Sequence, residues 1–330
     1  MSYAHRLFNA VIADVPDKGS LHEWTQKLRK DTAVETASPF TRLPPELVHH
    51  ILSLAAAASR HSSLNICLVA SWARHIALPH LFHTVVITDD TYTFEFNALH
   101  PSLPANSRAT SVRNVWLGPG CTNWRGARTI CERSHDVIHL ALNHYVAHSL
   151  MLSTAMQREV GSANKPSHDL HLTFIERQLP LEPLFRFNST PLLLDRVTQI
   201  RFVALEFHSM QQNIGYFSRL SYLSVPYLDR VPVNDRCIGP DQRRPSDLQY
   251  FLNLHSLKML VVPIIKDVIE EADREELEKW VHKVRQTDRR LYIVEGHSLH
   301  FRDEWEKEMR GGESIWDKAI RYTTEWEASL

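Results

Sequence analysis

The segment Val197-Thr198-Gln199-Ile200-Arg201-Phe202 carries the spacing that decides the fold. In it, an apolar residue is followed by a second one three positions later and by a third one two positions after that. Because the last two apolar residues are two positions apart, the pattern predicts a short strand, with the first residue pointing inward from the preceding corner. The same spacing occurs at four more places: Val112, Val115 and Leu117; Val137, Leu140 and Leu142; Leu220, Leu223 and Val225; and Leu257, Leu260 and Val262.

The pattern resembles a degraded leucine-rich repeat with irregular intervals. The repeats begin at residues 112, 137, 197, 220 and 257, whereas regular leucine-rich repeats are roughly 20 to 29 residues long. The longest interval leaves room for one further strand, Leu170-His171-Leu172-Thr173-Phe174. We therefore expect an α/β fold in which an irregular leucine-rich-repeat-like solenoid of parallel strands and outer helices spans residues 87–300.

Helices are expected on the outer face of this solenoid, at residues 145–159, 180–194 and 268–287. The last of these begins near Asp267 and is rich in glutamate and lysine. An ordinary α/β domain with a parallel sheet is the alternative architecture, since alternating strands and helices alone do not distinguish the two folds. The repeated spacing favours the solenoid.

The C-terminal segment has helical periodicity. After a break at residues 310–312, an apolar stripe follows at steps of four, three and four residues, and it consists of Ile315, Ala319, Tyr322 and Trp326. We expect a C-terminal capping helix within residues 301–330 that closes the open end of the repeat stack. A substrate-binding role for Trp305 or Trp316 is the alternative.

The segment at residues 38–86 also has helical periodicity. One apolar stripe at steps of four and three residues consists of Leu47, Ile51 and Leu54. A second stripe at steps of four consists of Leu64, Leu68 and Trp72. Pro79 is expected to stop that helix or to kink it near Ala77, because a helix interior needs the N–H that proline lacks. We expect three short helices, which together are too small to bury their own apolar groups.

The order of residues in this segment resembles the F-box, a small helical docking module. The matching positions are Leu43-Pro44-Pro45-Glu46-Leu47, Ile51-Leu52, Leu68-Val69-Ala70-Ser71-Trp72 and Pro79-His80-Leu81-Phe82. The resemblance implies an F-box-like module at residues 38–86 that docks on the adaptor subunit of a cullin-RING, or SCF-type, ubiquitin ligase. It implies that the rest of the chain binds a protein target as the substrate-recognition subunit.

The resemblance also implies which side chains contact the adaptor. Carried over position by position, these are Leu43, Pro44, Leu47, Ile51 and Leu52, with Leu68 and Val69. The expected partners are the adaptor, through it a cullin, and an unidentified protein target. Two alternatives stay open: the apolar stripes pack on the C-terminal body of the same chain, or the chain is a protein-interaction scaffold outside any ligase.

Charge and composition exclude other classes of partner. Lysine and arginine number 37 against 38 aspartate and glutamate residues, so the formal net charge is -1 and the basic footprint of a nucleic-acid-binding protein is absent. No apolar run reaches the roughly 20 residues of a bilayer crossing, and no secretory pattern opens the chain. We expect no membrane contact, a cytoplasmic or nuclear location, and a weakly ordered lead-in over residues 1–37.

Neither the cysteines nor the histidines indicate an enzyme. The cysteines form no CxxC pair, which favours free thiols in a reducing compartment; they are Cys67, Cys121, Cys131 and Cys237. On a helix, His135 and His139 would share a face and could bind zinc beside Asp136. In a strand they would lie about 13 Å apart, and the repeat at Val137 favours the strand. We expect no enzyme, no catalytic residue, no cofactor and no metal, with a zinc-dependent hydrolase using His135 and His139 as the alternative.

Two arginine pairs are candidates for recognising a phosphorylated target. Arg243-Arg244 and Arg289-Arg290 could each supply an anion site, because guanidinium groups bind phosphate with paired hydrogen bonds. Solvated surface charge is the alternative for both pairs.

Overall fold

The structure is a computed structural model that describes residues 43–99, 112–133, 137–143, 146–147, 169–175, 194–203, 214–227, 248–266, 269–296 and 300–330. The chain divides into two compact units. The first contains residues 1–85, 95–113 and 134–136, and the second contains residues 86–94, 114–133 and 137–330.

The first unit contains three helices that pack against one another: α1 (Pro45–Ala58), α2 (Arg60–Val69) and α3 (Ser71–His83). The three short helices that the sequence predicts are present. Ser59 separates α1 from α2 with an extended backbone, and its Oγ accepts a hydrogen bond of 3.0 Å from the N–H of Ser62. This contact caps the start of α2. Ala70, which is also extended, separates α2 from α3.

Pro79 lies inside α3 and the helix continues to His83, so the predicted stop at this proline is wrong. A proline in a helix interior costs about 3 kcal/mol. Beyond it, Leu81 and Phe82 are buried, and burying a side chain of this size stabilises by roughly 1.5–3 kcal/mol. Burial of the last turn therefore outweighs the missing N–H.

The second unit contains an eight-stranded sheet, apart from the first two residues of the first strand. The strands are β1 (Thr84–Asp89), β2 (Asn114–Gly120), β3 (His139–Leu142), β4 (Leu170–Phe174), β5 (Val197–Phe202), β6 (Tyr222–Ser224), β7 (Met259–Ile265) and β8 (Leu291–Gly296). They lie in the sheet in the order of the sequence, and each neighbouring pair from β2 onward is parallel. The predicted α/β class with parallel strands is therefore confirmed.

A ladder of aliphatic side chains runs across the core face of the sheet. The middle positions of the repeats are register partners from β2 to β8, and they are Val115, Leu140, Leu172, Ile200, Leu223, Leu260 and Leu291. None of these side chains is more than 2% exposed. In the next row, the rings of Phe174 and Phe202 stack with centroids 5.1 Å apart. Each of the five predicted repeats, and the further strand at residues 170–174, therefore contributes a strand with a buried apolar face.

Two strands of the sheet are absent from the sequence prediction. Strand β1 follows the same spacing, at Phe82, Val85 and Ile87, but it overlaps the expected boundary between the helical module and the repeats. Strand β8 has Leu291 and Ile293 at the second and third positions but the polar Asp288 at the first. The repeat pattern therefore extends one strand beyond each end of the predicted array.

In the described part of the chain, the helices with defined bounds between strands are α4 (Asp90–Leu99), α5 (Trp124–Arg133), α6 (Gln249–Leu252) and α7 (Glu271–Arg285). Helix α7 confirms the helix expected at residues 268–287. The helices expected at residues 145–159 and 180–194 lie outside the described residues, apart from positions 146, 147 and 194.

Asn143 links the chain after β3 to the chain after β2. Its buried amide donates hydrogen bonds of 2.9 Å and 2.8 Å to the carbonyl oxygens of Gly118 and Cys121, and its Oδ1 accepts one from the N–H of Val146. Because buried loop carbonyls need donors, one side chain fixes two successive corners of the sheet to each other.

Two helices, rather than the single predicted capping helix, occupy residues 301–330: α8 (Phe301–Met309) and α9 (Ile315–Ser329). They are separated at Gly311, whose φ of 90° favours glycine. Thr323 of α9 donates a hydrogen bond of 2.9 Å to the carbonyl oxygen of Ile293 and accepts one from its N–H. Helix α9 therefore covers the free edge of the last strand, as a capping element would.

Candidate functional site

Six apolar side chains of the first unit are between 38% and 69% exposed, and we call them the exposed apolar set: Leu43, Leu47, Ile51, Leu54, Leu68 and Val69. Twelve large hydrophobic side chains are exposed among the described residues, so half of them lie in one short segment. Scattered surface hydrophobics are ordinary in folded proteins, whereas a concentration of them indicates an interaction site.

Helix α1 places part of this set on one face. Leu47, Ile51 and Leu54 follow each other at steps of four and three residues, so their side chains line the exposed side of the helix. Val48 and Ala56 are buried on the other side. The helix therefore has an apolar face toward its neighbours and a second apolar face toward solvent.

The last turn of α2 supplies the rest of the set. Ile66 and Cys67 are buried, whereas the next two residues, Leu68 and Val69, are 52% and 69% exposed. The helix ends at once, since Ala70 is extended. Two large aliphatic side chains thus end the helix without cover from the chain.

Most of the residues expected to contact an adaptor are exposed. Six of the seven are exposed, and they are Leu43, Pro44, Leu47, Ile51, Leu68 and Val69. Leu52 is half-buried, and Leu54, which lay on the predicted stripe but not among the expected contacts, is exposed. Leu47 and Ile51 of the predicted stripe are 50% and 44% exposed.

Polar contacts hold the three helices in place beneath the exposed set. Ser53 Oγ lies 2.8 Å from His80 Nε2, which joins α1 to α3. Ser63 Oγ donates to the carbonyl oxygen of Ala56 at 2.6 Å, and Arg74 Nε donates to that of Cys67 at 3.1 Å. Hydrogen bonds to buried carbonyls of this kind stabilise by about 1 kcal/mol each. The exposed set therefore sits on a helical support that is tied together internally.

The titratable groups of this unit are tuned toward neutral forms. Burial, and next the charge of His49, lower the pKa of His80, and burial lowers the pKa of His75 as well. Burial raises the pKa of the Cys67 thiol to about 11. A thiol with so high a pKa is not an activated nucleophile.

The sheet face opposite the aliphatic ladder is the second candidate surface. A row of register partners crosses it, which we call the middle row: Trp116, Ala141, Thr173, Arg201, Ser224, Val261 and Tyr292. Trp305 of α8 packs against Trp116 at a centroid distance of 5.3 Å and is only 2% exposed. Ala141 and Ile175 complete the buried cluster around it. Helix α8 therefore lies over this part of the face.

Arg201 connects the middle of the face to α8. Its guanidinium lies 3.2 Å from the carboxylate of Glu308 and 3.9 Å from that of Glu304, and it sits over the ring of Phe301 at 4.2 Å. Burial raises the pKa of Glu308 and lowers that of Arg201, while their opposite charges act against both shifts. Removing one partner of a buried ion pair leaves an unpaired buried charge, which destabilises the protein. The pair therefore holds α8 at this position.

Helix α9 covers the face over the last strands. Ile315 and Ala319 pack with Met259, Val261 and Val294 in one buried cluster. The substrate-binding role considered for Trp305 is wrong, since its ring is buried. Trp316 is half-buried, and its ring contacts that of Tyr222 at 5.4 Å.

The histidines considered for zinc do not form a helical pair. His139 is the first residue of strand β3, and residues 137–138 are not helical. Its Nδ1 lies 3.1 Å from Nδ1 of His171 on the next strand, and burial lowers the pKa of His171 to about 4. His135 lies outside the described residues, among which no three His, Cys, Asp or Glu side chains come together as a metal site. The helical zinc geometry is therefore wrong.

The cysteines and the arginine pairs also have assigned positions. Cys67, Cys121 and Cys131 are buried, whereas Cys237, Arg243 and Arg244 lie outside the described residues. Arg289 pairs with Glu327, and Arg290 pairs with Asp288 and donates to three backbone carbonyls. Arg290 is therefore engaged by the fold, whereas the side chain of Arg289 is 70% exposed and pairs through one guanidinium nitrogen.

The described part of the chain contains no helix that is long and apolar enough to span a membrane. Comparison of the chain with protein-family models, with curated proteins and with solved structures finds no match. The functional argument therefore rests on the side chains of this chain and on where the structure places them.

Proposed function

We propose that this chain is a non-enzymatic substrate receptor of a cullin-RING ubiquitin ligase of the SCF type. The helices α1 and α2 would dock on the adaptor subunit, and through it on the cullin. The observation that carries the proposal is the exposed apolar set, since five of its six members, all but Leu54, lie at positions where the sequence resembles an F-box.

The energetics support docking through these side chains. Leu47, Ile51 and Leu54 on α1, with Leu68 and Val69 on α2, each have about half of their surface still in water. Covering that remainder would contribute about 1 kcal/mol for each side chain, at roughly 25 cal/mol per Å². An amphipathic helix that lays such a face into an apolar groove is a common mode of protein recognition.

The sheet would serve as the body that presents a protein target. Its strands follow the order of the sequence, its apolar ladder repeats from strand to strand, and Asn143 ties successive corners together. These features support our interpretation of the second unit as an irregular leucine-rich-repeat-like solenoid. The receptor would accelerate ubiquitin transfer by proximity, since tethering raises the local concentration of target lysines.

Co-purification of the full chain with the recombinant adaptor and cullin tests this proposal. We expect a stoichiometric complex that contains all three proteins. A chain that folds but does not bind the adaptor would overturn the ligase function and leave the scaffold alternative. A chain that binds the adaptor while excluding the cullin would overturn it as well, because the ligase could then not assemble.

A further inference from the structure

A row of polar side chains remains open on the sheet face beside the buried middle row. His139, His171, Gln199 and Tyr222 are register partners on four successive strands, and each is half-exposed. In the middle row, by contrast, Trp116, Ala141, Thr173, Ser224 and Val261 are buried. Among the described residues, the helices α8 and α9 therefore cover one row of the face and leave the neighbouring row accessible.

This open row forms the floor of a depression of about 370 Å³. Its lining comes from the beginnings of strands β4 to β7 and consists of Asp169, His171, Thr198, Gln199, Arg219, Ser221, Tyr222, Ser256 and Lys258. All nine residues are polar. A lining of this composition selects a ligand by hydrogen bonds and charge rather than by apolar burial.

The charge of the depression is positive. Arg219 pairs with Asp169 at 2.9 Å through one guanidinium nitrogen, which leaves further N–H groups of the fork for a ligand. Lys258 is exposed, and its ammonium has no hydrogen-bond or ion-pair partner among the described residues. Since burial keeps the pKa of His171 near 4, this imidazole is neutral at pH 7. The depression therefore contains two cations, Arg219 and Lys258, and one carboxylate, Asp169, which is already paired with Arg219.

Neutral donors surround the two cations. The side chains of Thr198, Gln199 and Ser256 line the depression and carry hydroxyl and amide donors, whereas the single O–H of Ser221 already donates to the carbonyl oxygen of Arg219 at 3.2 Å. A ligand bound here would meet an ammonium, a guanidinium, hydroxyls and an amide together. Such a set matches a tetrahedral oxyanion with several acceptor oxygens.

We propose that this depression binds the phosphate group of a phosphorylated serine or threonine in a segment of a protein target. The phosphate monoester carries a charge of about −1.5 to −2 at neutral pH and three acceptor oxygens. The four strands that line the depression span about 14 Å, which an extended peptide of about four residues covers. The flanking residues of such a segment would lie along the row from His171 to Tyr222.

A nucleotide is a poorer match for the same donors. Tyr222 and His171 are the aromatic rings among the nine lining residues, and they already contact the rings of Trp316 and His139. A nucleobase commonly stacks on an aromatic or guanidinium plane, whereas a phosphoserine needs donors alone. The inference deepens the proposed function and rests on it only for the claim that the bound segment belongs to a ligase target.

Fluorescence anisotropy with the full chain tests the inference. The probes are short degenerate peptide pools with a central phosphoserine, serine or glutamate. We expect saturable binding of the phosphoserine pool, competition by inorganic phosphate, and about tenfold or greater weakening by Lys258→Ala. Lys279→Ala removes an exposed lysine from α7, outside the depression, and serves as the matched control with unchanged binding.

Three results would overturn the inference: equal binding of the serine pool, equal binding of the glutamate pool, or phosphopeptide binding that Lys258→Ala leaves unchanged. Adaptor binding measured on the same samples separates this outcome from failure of the proposed function. A variant that loses phosphopeptide binding and keeps adaptor binding supports both. Loss of adaptor binding in the intact chain, with phosphopeptide binding retained, contradicts the ligase function alone.

Discussion

Trp305 of α8 packs against Trp116 of β2 with ring centroids 5.3 Å apart and ring planes at 58°. This contact brings the C-terminal segment onto the face of the sheet that a curved repeat array would use for its ligand. In this chain the middle of that face is therefore buried beneath the C-terminal segment. Among the described residues, the neighbouring polar row of His139, His171, Gln199 and Tyr222 is partly exposed.

Replacing Trp305 with alanine should destabilise the second unit strongly. The side chain is buried, and truncation of a buried tryptophan costs about 3–5 kcal/mol. Urea unfolding monitored by circular dichroism measures the change. Trp316→Ala is the control, since its ring is half-buried and should cost less. Equal losses for the two variants would contradict the position assigned to α8.

The ion pair between Arg201 and Glu308 predicts a non-additive result. Arg201→Met leaves the Glu308 carboxylate buried without its partner, and we expect a loss of about 3 kcal/mol. Adding Glu308→Met should restore most of that stability, because no buried charge then remains unpaired. Because burial already raises the pKa of Glu308, the single variant should also regain stability as the pH falls and the carboxyl takes up a proton.

A double-mutant cycle in urea provides the measurement for this pair. The two single variants and the double variant are compared at one pH and ionic strength. Additive losses would show that the pair does not hold α8 on the sheet.

His171 should make the fold sensitive to mild acid. Burial lowers its folded pKa from 6.5 to about 4. Between these values the unfolded chain binds a proton that the folded chain does not, so stability falls as the pH decreases through this range. One such group contributes a slope of at most about 1.4 kcal/mol per pH unit.

Unfolding free energies measured between pH 7 and pH 4 test this expectation. His75 and His80, whose pKa values are also lowered, add to the wild-type slope in the same direction. His171→Gln should reduce the slope by about one proton. An unchanged slope in the His171 variant would contradict the burial of this imidazole.

The turn between α8 and α9 depends on Gly311. Its φ of 90° lies in a region that L-residues rarely adopt, so Gly311→Ala should destabilise by about 1 kcal/mol. Gly215→Ala is the matched control, since a Cβ there meets no atom within 4 Å and no positive φ is involved. Thermal unfolding that shifts equally in both variants would exclude a strained turn.

The strands of the repeat could be predicted because burial imposes a simple rule on their sequence. Val115 and Leu140 occupy equivalent positions of adjacent strands, and each must be apolar because it faces the core. The rule failed at β8, where the polar Asp288 takes the first position. At β1 the same spacing was present but fell on the boundary between two patterns.

The covering of the sheet face could not be predicted in the same way. Arg201 occupies an outward position of its strand, where a charged residue indicates solvent. Its burial comes from Phe301 and Glu308, about a hundred residues later in the chain. Local periodicity carries no information about such a contact. The exposed apolar residues of α1, in contrast, lie within one helix, so spacing alone placed Leu47 and Ile51 on one face.

The most direct test of the account is the affinity of the full chain for the recombinant adaptor, measured by isothermal titration calorimetry. We predict saturable binding that Leu47→Asp weakens by about thirtyfold or more, because a carboxylate would have to be buried in an apolar interface. Ile320→Asp changes a similarly exposed residue on α9 and should bind as the wild type does. Circular dichroism must show that both variants are folded. An adaptor that does not bind the wild-type chain, or binds the Leu47→Asp chain equally well, would contradict the account.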